Sequence, residues 1–570
     1  MTIVPNQNEE RQNYLDNILS STAEKKLIVA GPGTGKTFTF KKILENYPNG
    51  KNLVMTFIRK LVNEMERDLG DLAEVYTFHK YCKRMLHDTI GGFQLSPLLT
   101  KIIEEDVRIL NLNYFNFDSK FQVIDEESKE IDFYLKRSDY YEVVSFNDSV
   151  FRLYKIIRND ASVIHDYDII LIDEYQDFNP LEVALLTKLS ENNPIVIVGD
   201  DDQAVYTGRN SSSIHLREAY NSDEYANFEL PFCSRSPKVI VDAVNSFIRK
   251  VEEFDGFKGR IKRNYEPFLD GKEYENKTYP KIIKARLSVG KILPKYLIKE
   301  INKIPEEDIS ESYNEDNPYP TILIIGQGQY LNIIEEALKP IYSNLIRSSS
   351  KSSEIKLIDV YSFFTEFSQS NFSWRLLLEL YYNDSEKKEI LEKTLRGESL
   401  ISLLNSDFVE TQKKIAELLL ENQKNGEISA ESTVYLKNEL ASNYSDLISD
   451  FSKKTEAIED TIDNSIPSIL LTTFEGSKGL SAGHVFIVGA NDTSIPKIKN
   501  NKIEDVEFSK FIVALTRTRK CCHIISNKWL NNPKKPDGSW AETFDESIFT
   551  SFITEELFED RGNLKSEDLD

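Results

Sequence analysis

The sequence predicts an α/β protein built on parallel sheets, and three observations carry that prediction. The apolar run Lys26-Leu-Ile-Val-Ala30 ends in a glycine-rich loop, continues into the helical stretch TFTFKKILENY, and meets a second apolar run, Asn52-Leu-Val-Met-Thr-Phe57. Strand, loop, helix and strand in that order make one βαβ unit. The runs Asp168-Ile-Ile-Leu-Ile172 and Pro194-Ile-Val-Ile-Val198 are apolar throughout, whereas a strand with one face in water alternates, so these suit a sheet covered on both faces. The second half repeats the style at Thr321-Ile-Leu-Ile-Ile325, Ser468-Ile-Leu-Leu-Thr472, Val485-Phe-Ile-Val488 and His523-Ile-Ile525.

Between these runs, residues 85–160 and 385–465 carry no strand signal and read as helical insertions. The acidic, turn-rich stretch KIPEEDISESYNEDNPY, residues 303–319, reads as a surface loop, and the tail EDRGNLKSEDLD as a frayed end. A chain of 570 residues is long enough for more than one domain, and 40% hydrophobic with 29% charged residues is a soluble globular composition. No apolar run approaches the ~20 residues of a membrane helix. The N-terminus MTIVPNQNEERQNYL lacks a basic-then-apolar leader. Cys82, Cys233, Cys521 and Cys522 form no C-x-x-C pair and read as reduced thiols of a cytoplasmic protein. The six histidines lack metal-site spacing. A net charge of −23 argues against a surface that coats nucleic acid, but it leaves room for a narrow basic groove.

AGPGTGKT, Ala30 to Thr37, fits a P-loop. Backbone N–H groups of Gly31, Pro32 to Thr34 and Gly35 surround phosphates as far as each residue has one, and Gly33 lets the loop turn tightly. Lys36 reaches the β and γ oxygens, and Thr37 can hold Mg²⁺ at the helix N-terminus. Such a loop needs a carboxylate partner, which Leu171-Ile-Asp-Glu-Tyr-Gln-Asp177 supplies. Asp173 suits Mg²⁺, and Glu174 is placed to activate water. The residues up to this point define an enzyme that hydrolyses ATP or GTP.

Further blocks follow in a fixed order: TFIRKLVNEM (56–65), TFHKYCKRML (77–86), VGDDDQAVY (198–206), LPFCSRS (230–236), TTFEGSKGL (472–480) and VALTRTR (513–519). With the P-loop and LIDEYQD, this set resembles the UvrD/Rep/PcrA-like superfamily 1 DNA helicases, and it spans nearly the whole chain. The resemblance implies two RecA-like P-loop NTPase domains, each with a mainly helical insertion. The first would be 1–230, with its insertion at about 85–160. The second would be 231–384 and 466–570, with a reduced insertion at 385–465. It implies ATP and Mg²⁺ as cofactors, with Gln203 facing the γ-phosphate. Arg235 and Arg517 would serve as arginine fingers, worth ~10³–10⁵ in rate. Gln12, or alternatively Gln7, would read adenine, and Gly479 would join the nucleotide set. Single-stranded DNA, or DNA with single-stranded tails, would meet Phe57, Thr77, His79 and Tyr206. Asp200 and Asp201 would hold their loop near Mg²⁺.

The sequence departs from the family pattern at several places. Ser234 replaces an aromatic before Arg235, and Phe38 replaces an arginine after Thr37. Gly208 replaces a tryptophan, removing a stacking platform worth ~1–3 kcal/mol per base. Glu475 and Ser481 stand where histidine and glutamate are usual, and Glu475 would repel a DNA backbone. The expected activity is an ATP-driven translocase or helicase on single-stranded DNA, with 3′→5′ polarity implied by the resemblance. The alternative is a DNA-stimulated regulatory ATPase, acting as a monomer or hetero-oligomer with a separate nuclease, as in bacterial antiviral defence.

Overall fold

The computed structural model describes residues 6–57, 59–206, 209–314, 318–348, 355–426, 428–453, 466–500, 502–531 and 541–569. Seven segments make the first half's frame: helix α1 (Gln7–Ser20), strand β1 (Lys25–Ala30), helix α2 (Lys36–Leu44), and strands β2 (Asn52–Thr56), β3 (Glu74–Thr77), β4 (Ile169–Ile172) and β5 (Ile195–Gly199). A sixth strand, β6 (Ala226–Leu230), closes the sheet, whose order is β3-β2-β4-β5-β1-β6, all parallel. Every residue of β2, β4 and β5 is buried, which is why these runs are apolar throughout. Because β4, β5 and β1 are neighbours, the loops at their carboxyl ends converge, the usual place for a ligand in such sheets.

The second sheet contains β7 (Ile282–Val289), β8 (Ile322–Ile325), β9 (Leu345–Arg347), β10 (Ile469–Thr472), β11 (Ala482–Val488), β12 (Thr518–Trp529) and β13 (Phe558–Leu564). Its order is β9-β10-β8-β11-β12-β7-β13, again all parallel. Two expectations are corrected here. The tail is not frayed: β13 pairs along β7 as an edge strand. Phe558 and Leu569 anchor it, while its other side chains face solvent wholly or in part, so its sequence reads as polar. Within 303–319, Glu306–Ser312 is a helix rather than loop. It is fixed by buried Asp308, which sits 3.0 Å from His484 Nε2 and 2.5 Å from Lys520 Nζ.

The chain forms two compact units. Residues 1–78, 164–349 and 463–570 make the first, which holds both parallel sheets. Residues 79–163 and 350–462 make the second, which is helical but for a two-stranded pair, Gln94–Leu95 with Val143–Val144, among the described residues. The helices Leu357–Glu366 and Asn371–Tyr381, placed with the second sheet on sequence grounds, pack in the helical unit instead. Their aromatic faces explain the difference: Phe364 stands edge-on to Trp374 at 4.8 Å, and both are buried. No helix among the described residues is long and apolar enough to cross a membrane.

The helical unit is centred on a buried charge. Asp106 accepts from Arg375 Nε (2.6 Å), from Arg137 Nε and Nη2 (3.2 and 3.0 Å) and from the Tyr141 hydroxyl (2.6 Å). Burial alone would raise the Asp106 carboxyl, but Arg375 and Arg137 reverse this and hold it below the usual range. Its contribution to stability is therefore present above the unfolded value near pH ~4 and is lost as pH falls through the lower folded value. Asp106→Ala removes the carboxylate that two buried guanidinium groups share, so urea denaturation should show a loss of about 3–5 kcal/mol. A loss below about 1 kcal/mol would contradict the central role given to this ion pair.

Candidate active site

The P-loop runs from the end of β1 to the start of α2. Gly33 has φ +74°, and a Cβ there would lie 2.5 Å from the Cβ of Arg235. Only glycine fits on both counts. The segment after β6 covers the loop: Ser234 N donates to Gly33 O at 2.9 Å, and the Tyr265 hydroxyl to Pro32 O at 3.0 Å. Ser234 is thus a backbone clasp in this protein. Thr34 Oγ1 closes the turn on Gly31 O at 2.9 Å.

Lys36 Nζ is hydrogen-bonded to Glu174 and lies 3.4 Å from Asp173 Oδ1. Burial alone would lower the lysine, yet the Asp173 and Glu174 carboxylates more than offset this and raise it. Burial likewise would raise Glu174, but Lys36 and then Lys478 hold it well below the usual carboxylate range. Glu174 adopts φ 54° and ψ 43°, a left-handed conformation unusual outside glycine. Such strain costs about 1–3 kcal/mol and persists where the surroundings fix it. It aims the Glu174 side chain back at the P-loop, whereas an extended residue after β4 would carry it onward.

From Glu174 a chain of hydrogen bonds crosses to the second sheet's elements. Gln176 Nε2 donates to Glu174 Oε2 (2.5 Å), and Gln176 Oε1 accepts from Asp200 N (3.0 Å). Gln203 Nε2 donates to Asp200 Oδ2 (2.7 Å), and Gln203 Oε1 accepts from Arg517 Nη2 (3.1 Å). Arg517 is also held by the carbonyls of Val513 (2.9 Å) and Leu480 (3.0 Å). Burial, then the nearby Arg235, lowers its guanidinium to about 9, which leaves it charged at neutral pH. Arg235 is half-buried and has no hydrogen-bond or ion-pair partner among the described residues. Gly479, at φ +78°, turns the chain between Lys478 and Leu480.

Lys478 was missed on sequence grounds, although it lies inside the quoted TTFEGSKGL. It donates to Asp177 Oδ1 (2.8 Å) and to Gln203 O (2.6 Å), and lies 3.7 Å from Glu174 Oε2. Burial pushes Asp177 up to about 6 against the pull of Lys478. The only signal in the sequence was a lone cation beside a glycine after an apolar strand. Gln176 was legible only as a letter within DEYQD.

The acids of GDDDQ fix their own loop. Asp200, Asp201 and Asp202 are all buried, and each meets an arginine: Asp200 meets Arg263 (2.6 Å), Asp201 meets Arg217 (2.8 Å), and Asp202 meets both Arg260 (2.6 Å) and Arg263 (3.0 Å). Asp200 and Asp201 therefore tie the loop to arginines around it. Burial, then Asp202, raises Asp201 to about 6. Asp173 differs: its Oδ1 is buried and makes no hydrogen bond among the described residues. Together with the half-buried Thr37, it has the chemistry of a Mg²⁺ ligand.

Of the residues expected to meet DNA, Phe57 and Tyr206 come together, with ring centres 6.0 Å apart. The Arg209 guanidinium lies 4.3 Å above Phe57, and Lys478 Nζ lies 5.6 Å from the Tyr206 ring. Thr77 ends β3 and is half-buried. His79 belongs to the helical unit, edge-on to Phe146 at 5.1 Å. Gly208 lies outside the described residues. Glu475 pairs with Lys510 at 2.8 Å, which Glu507 shares at the same distance, and Ser481 Oγ accepts from Arg519 Nε at 2.9 Å. Gln12 is exposed and donates to Asp16 at 2.7 Å. Both polar ends of the Gln7 side chain are taken by the backbone of Pro267 and Leu269.

A family described as an AAA domain matches residues 17–209. The chain is 22% identical to a probable DNA helicase II homolog of Mycoplasma genitalium, over 93% of this chain and 86% of that protein. It is 24% identical to the ATP-dependent DNA helicase Rep of Buchnera aphidicola subsp. Schizaphis graminum, over 87% and 90%. It is 23% identical to the ATP-dependent DNA helicase PcrA of Staphylococcus epidermidis, over 92% and 83%.

Proposed function

This chain belongs to the UvrD/Rep/PcrA-like helicases, and on that premise we propose that it hydrolyses ATP to move along single-stranded DNA, with 3′→5′ polarity. The observation that supports this most is the unbroken series of contacts from Lys36 through Glu174, Gln176, Asp200 and Gln203 to Arg517. It links the phosphate loop to an arginine more than three hundred residues away in sequence, with both groups in one compact unit.

In this reading Lys36 exchanges its carboxylate partners for the β and γ oxygens when nucleotide binds. Thr37 and Asp173 would hold Mg²⁺, which neutralises charge on those oxygens. Glu174 then accepts a proton from the attacking water. Gln203 and Arg517 meet the γ-phosphate, where the guanidinium stabilises the transferring group. Arg235, unpaired beside Gly33, supplies a second cation.

Lys478 gives the site a route to the strand. Its ammonium contacts Asp177, the Gln203 carbonyl and the face of Tyr206. A change at the γ-phosphate that moves Gln203 therefore reaches Tyr206 through one side chain. Phe57 and Tyr206 provide faces on which bases stack, and Arg209 provides charge for the backbone. Lys510, shared between Glu475 and Glu507, offsets part of the repulsion expected from Glu475.

Steady-state ATPase at low salt tests the reading. Single-stranded DNA should raise the rate several-fold, and added salt should weaken that stimulation as counterion release requires. A rate indifferent to single-stranded DNA would refute the coupling.

A further inference from the structure

A cavity of about 270 Å³ opens beside the P-loop, with Asn8, Arg11, Gln12, Thr34, Phe38 and Phe232 among its walls. Its position fits the base of a nucleotide whose phosphates lie in the loop. Phe38 is 49% exposed, an unusual state for a phenylalanine directly after a phosphate loop. Its ring is a flat apolar face at the first turn of α2.

Arg11 leans into the same space. Its guanidinium lies 4.9 Å from the Phe268 ring centre and 6.0 Å from that of Phe38. A Cβ placed on Gly35 would be 3.1 Å from Arg11 Nη2, so the fork hangs directly over the loop. The guanidinium rests over the Phe268 ring, and its N–H groups have no protein acceptor among the described residues.

The two purines differ on the edge such a group would meet. Guanine presents two acceptors, O6 and N7, whereas adenine presents the N7 acceptor beside an N6 amino donor. A guanidinium only donates. It can pair twice with guanine, but on adenine it faces one acceptor and one opposing donor. A carboxamide has the reverse preference, since it donates and accepts at once. Asn8 and Gln12, on the same wall, each give one of their two amide N–H donors to a carboxylate, Asp270 (2.8 Å) and Asp16 (2.7 Å). Their carbonyl oxygens receive no donor among the described residues, and they suit the N1–H and amino donors of guanine.

We infer that this pocket takes a guanine base at least as readily as adenine, with Phe38 as the stacking face and Arg11 as the residue that sets the choice. The inference rests on the hydrolysis site proposed above and adds the identity of the base. It makes the chain a purine nucleoside triphosphatase that runs on GTP as well as ATP.

The test is kcat/KM for ATP and GTP, measured side by side with single-stranded DNA present, for the wild type, Arg11→Gln and Phe38→Ala. The wild type should use GTP at least as well as ATP. Arg11→Gln should shift the GTP-to-ATP ratio toward ATP by about tenfold or more, the scale of one bidentate base contact. Phe38→Ala should raise KM for both nucleotides and leave their ratio in place. Phe38 is exposed and Arg11 half-buried, and a thermal melt matching the wild type establishes that each variant is folded. A wild-type preference for ATP, or an unchanged ratio in Arg11→Gln, overturns the assignment of base choice while leaving hydrolysis standing. An unchanged KM in Phe38→Ala overturns the stacking role. Turnover of neither nucleotide by the wild type overturns the hydrolysis reading itself.

Discussion

Arg517→Ala lowers turnover by about 10³–10⁵-fold while nucleotide still binds, the effect expected when an arginine finger is removed. Three observations motivate this size. Arg517 is buried, so its charge acts through a weakly screening environment. Its Nη2 is fixed 3.1 Å from Gln203 Oε1, and its other nitrogens are held by two carbonyls, so the group is placed before the reaction begins. Although burial and Arg235 lower it to about 9, it keeps its proton, and therefore its charge, at neutral pH. The substitution also removes the guanidinium bonds to the Val513 and Leu480 carbonyls, so a melting curve must accompany the rate. Arg517→Lys is the sharper comparison. An ammonium keeps the charge but loses the fork, and it should recover only part of the rate. Turnover within about tenfold of wild type in the alanine variant would remove Arg517 from the catalytic set.

Glu174→Gln separates binding from cleavage. Single-turnover hydrolysis should fall by about 10²–10⁴-fold, the usual contribution of a positioned base, while a fluorescent nucleotide binds as well as before or better. The reason lies at Lys36. In the structure its ammonium is held by Glu174 and faces Asp173, so an incoming phosphate must compete with two carboxylates. The amide removes one negative charge from that competition. The glutamine also keeps an acceptor for Gln176 Nε2, so the hydrogen-bond series toward Gln203 persists. If binding and cleavage were lost together, the carboxylate would be acting mainly to position Lys36. If the rate were unchanged, another group would be the base.

The parts of this site that were legible in advance are local. In AGPGTGKT the backbone that surrounds phosphate and the lysine that meets it lie within eight residues, so spacing alone brings them together. Asp173 and Glu174 were legible because they follow a wholly apolar strand, which fixes where that strand ends. The uniform strands of both sheets were read for the same reason: burial on two faces leaves no alternation. The edge strand Phe558–Leu564 was misread because an edge facing water has the composition of a tail. The helix Glu306–Ser312 was misread because its three leading acids and the nearby proline resemble turn chemistry, and its two buried residues, Asp308 and Ser312, are both polar and find their partners on or beside distant strands.

Sequence alone determined the α/β class, the phosphate loop, its carboxylate partners and the order of motifs that marks the family, because each depends on residues close along the chain or on the period of burial. Tertiary structure decided the partners. Lys478 finds Asp177 across 301 positions. The acids of GDDDQ find Arg217, Arg260 and Arg263, none of which sequence spacing singled out. Arg11, and neither Gln12 nor Gln7, reaches over the loop beside Phe38. A charged side chain is compatible with many partners of opposite sign, and sequence spacing ranks none of them once they lie on different elements. Only the packing of two sheets, which fixes distances to a few ångströms and excludes water from the pairs, selects which charge meets which.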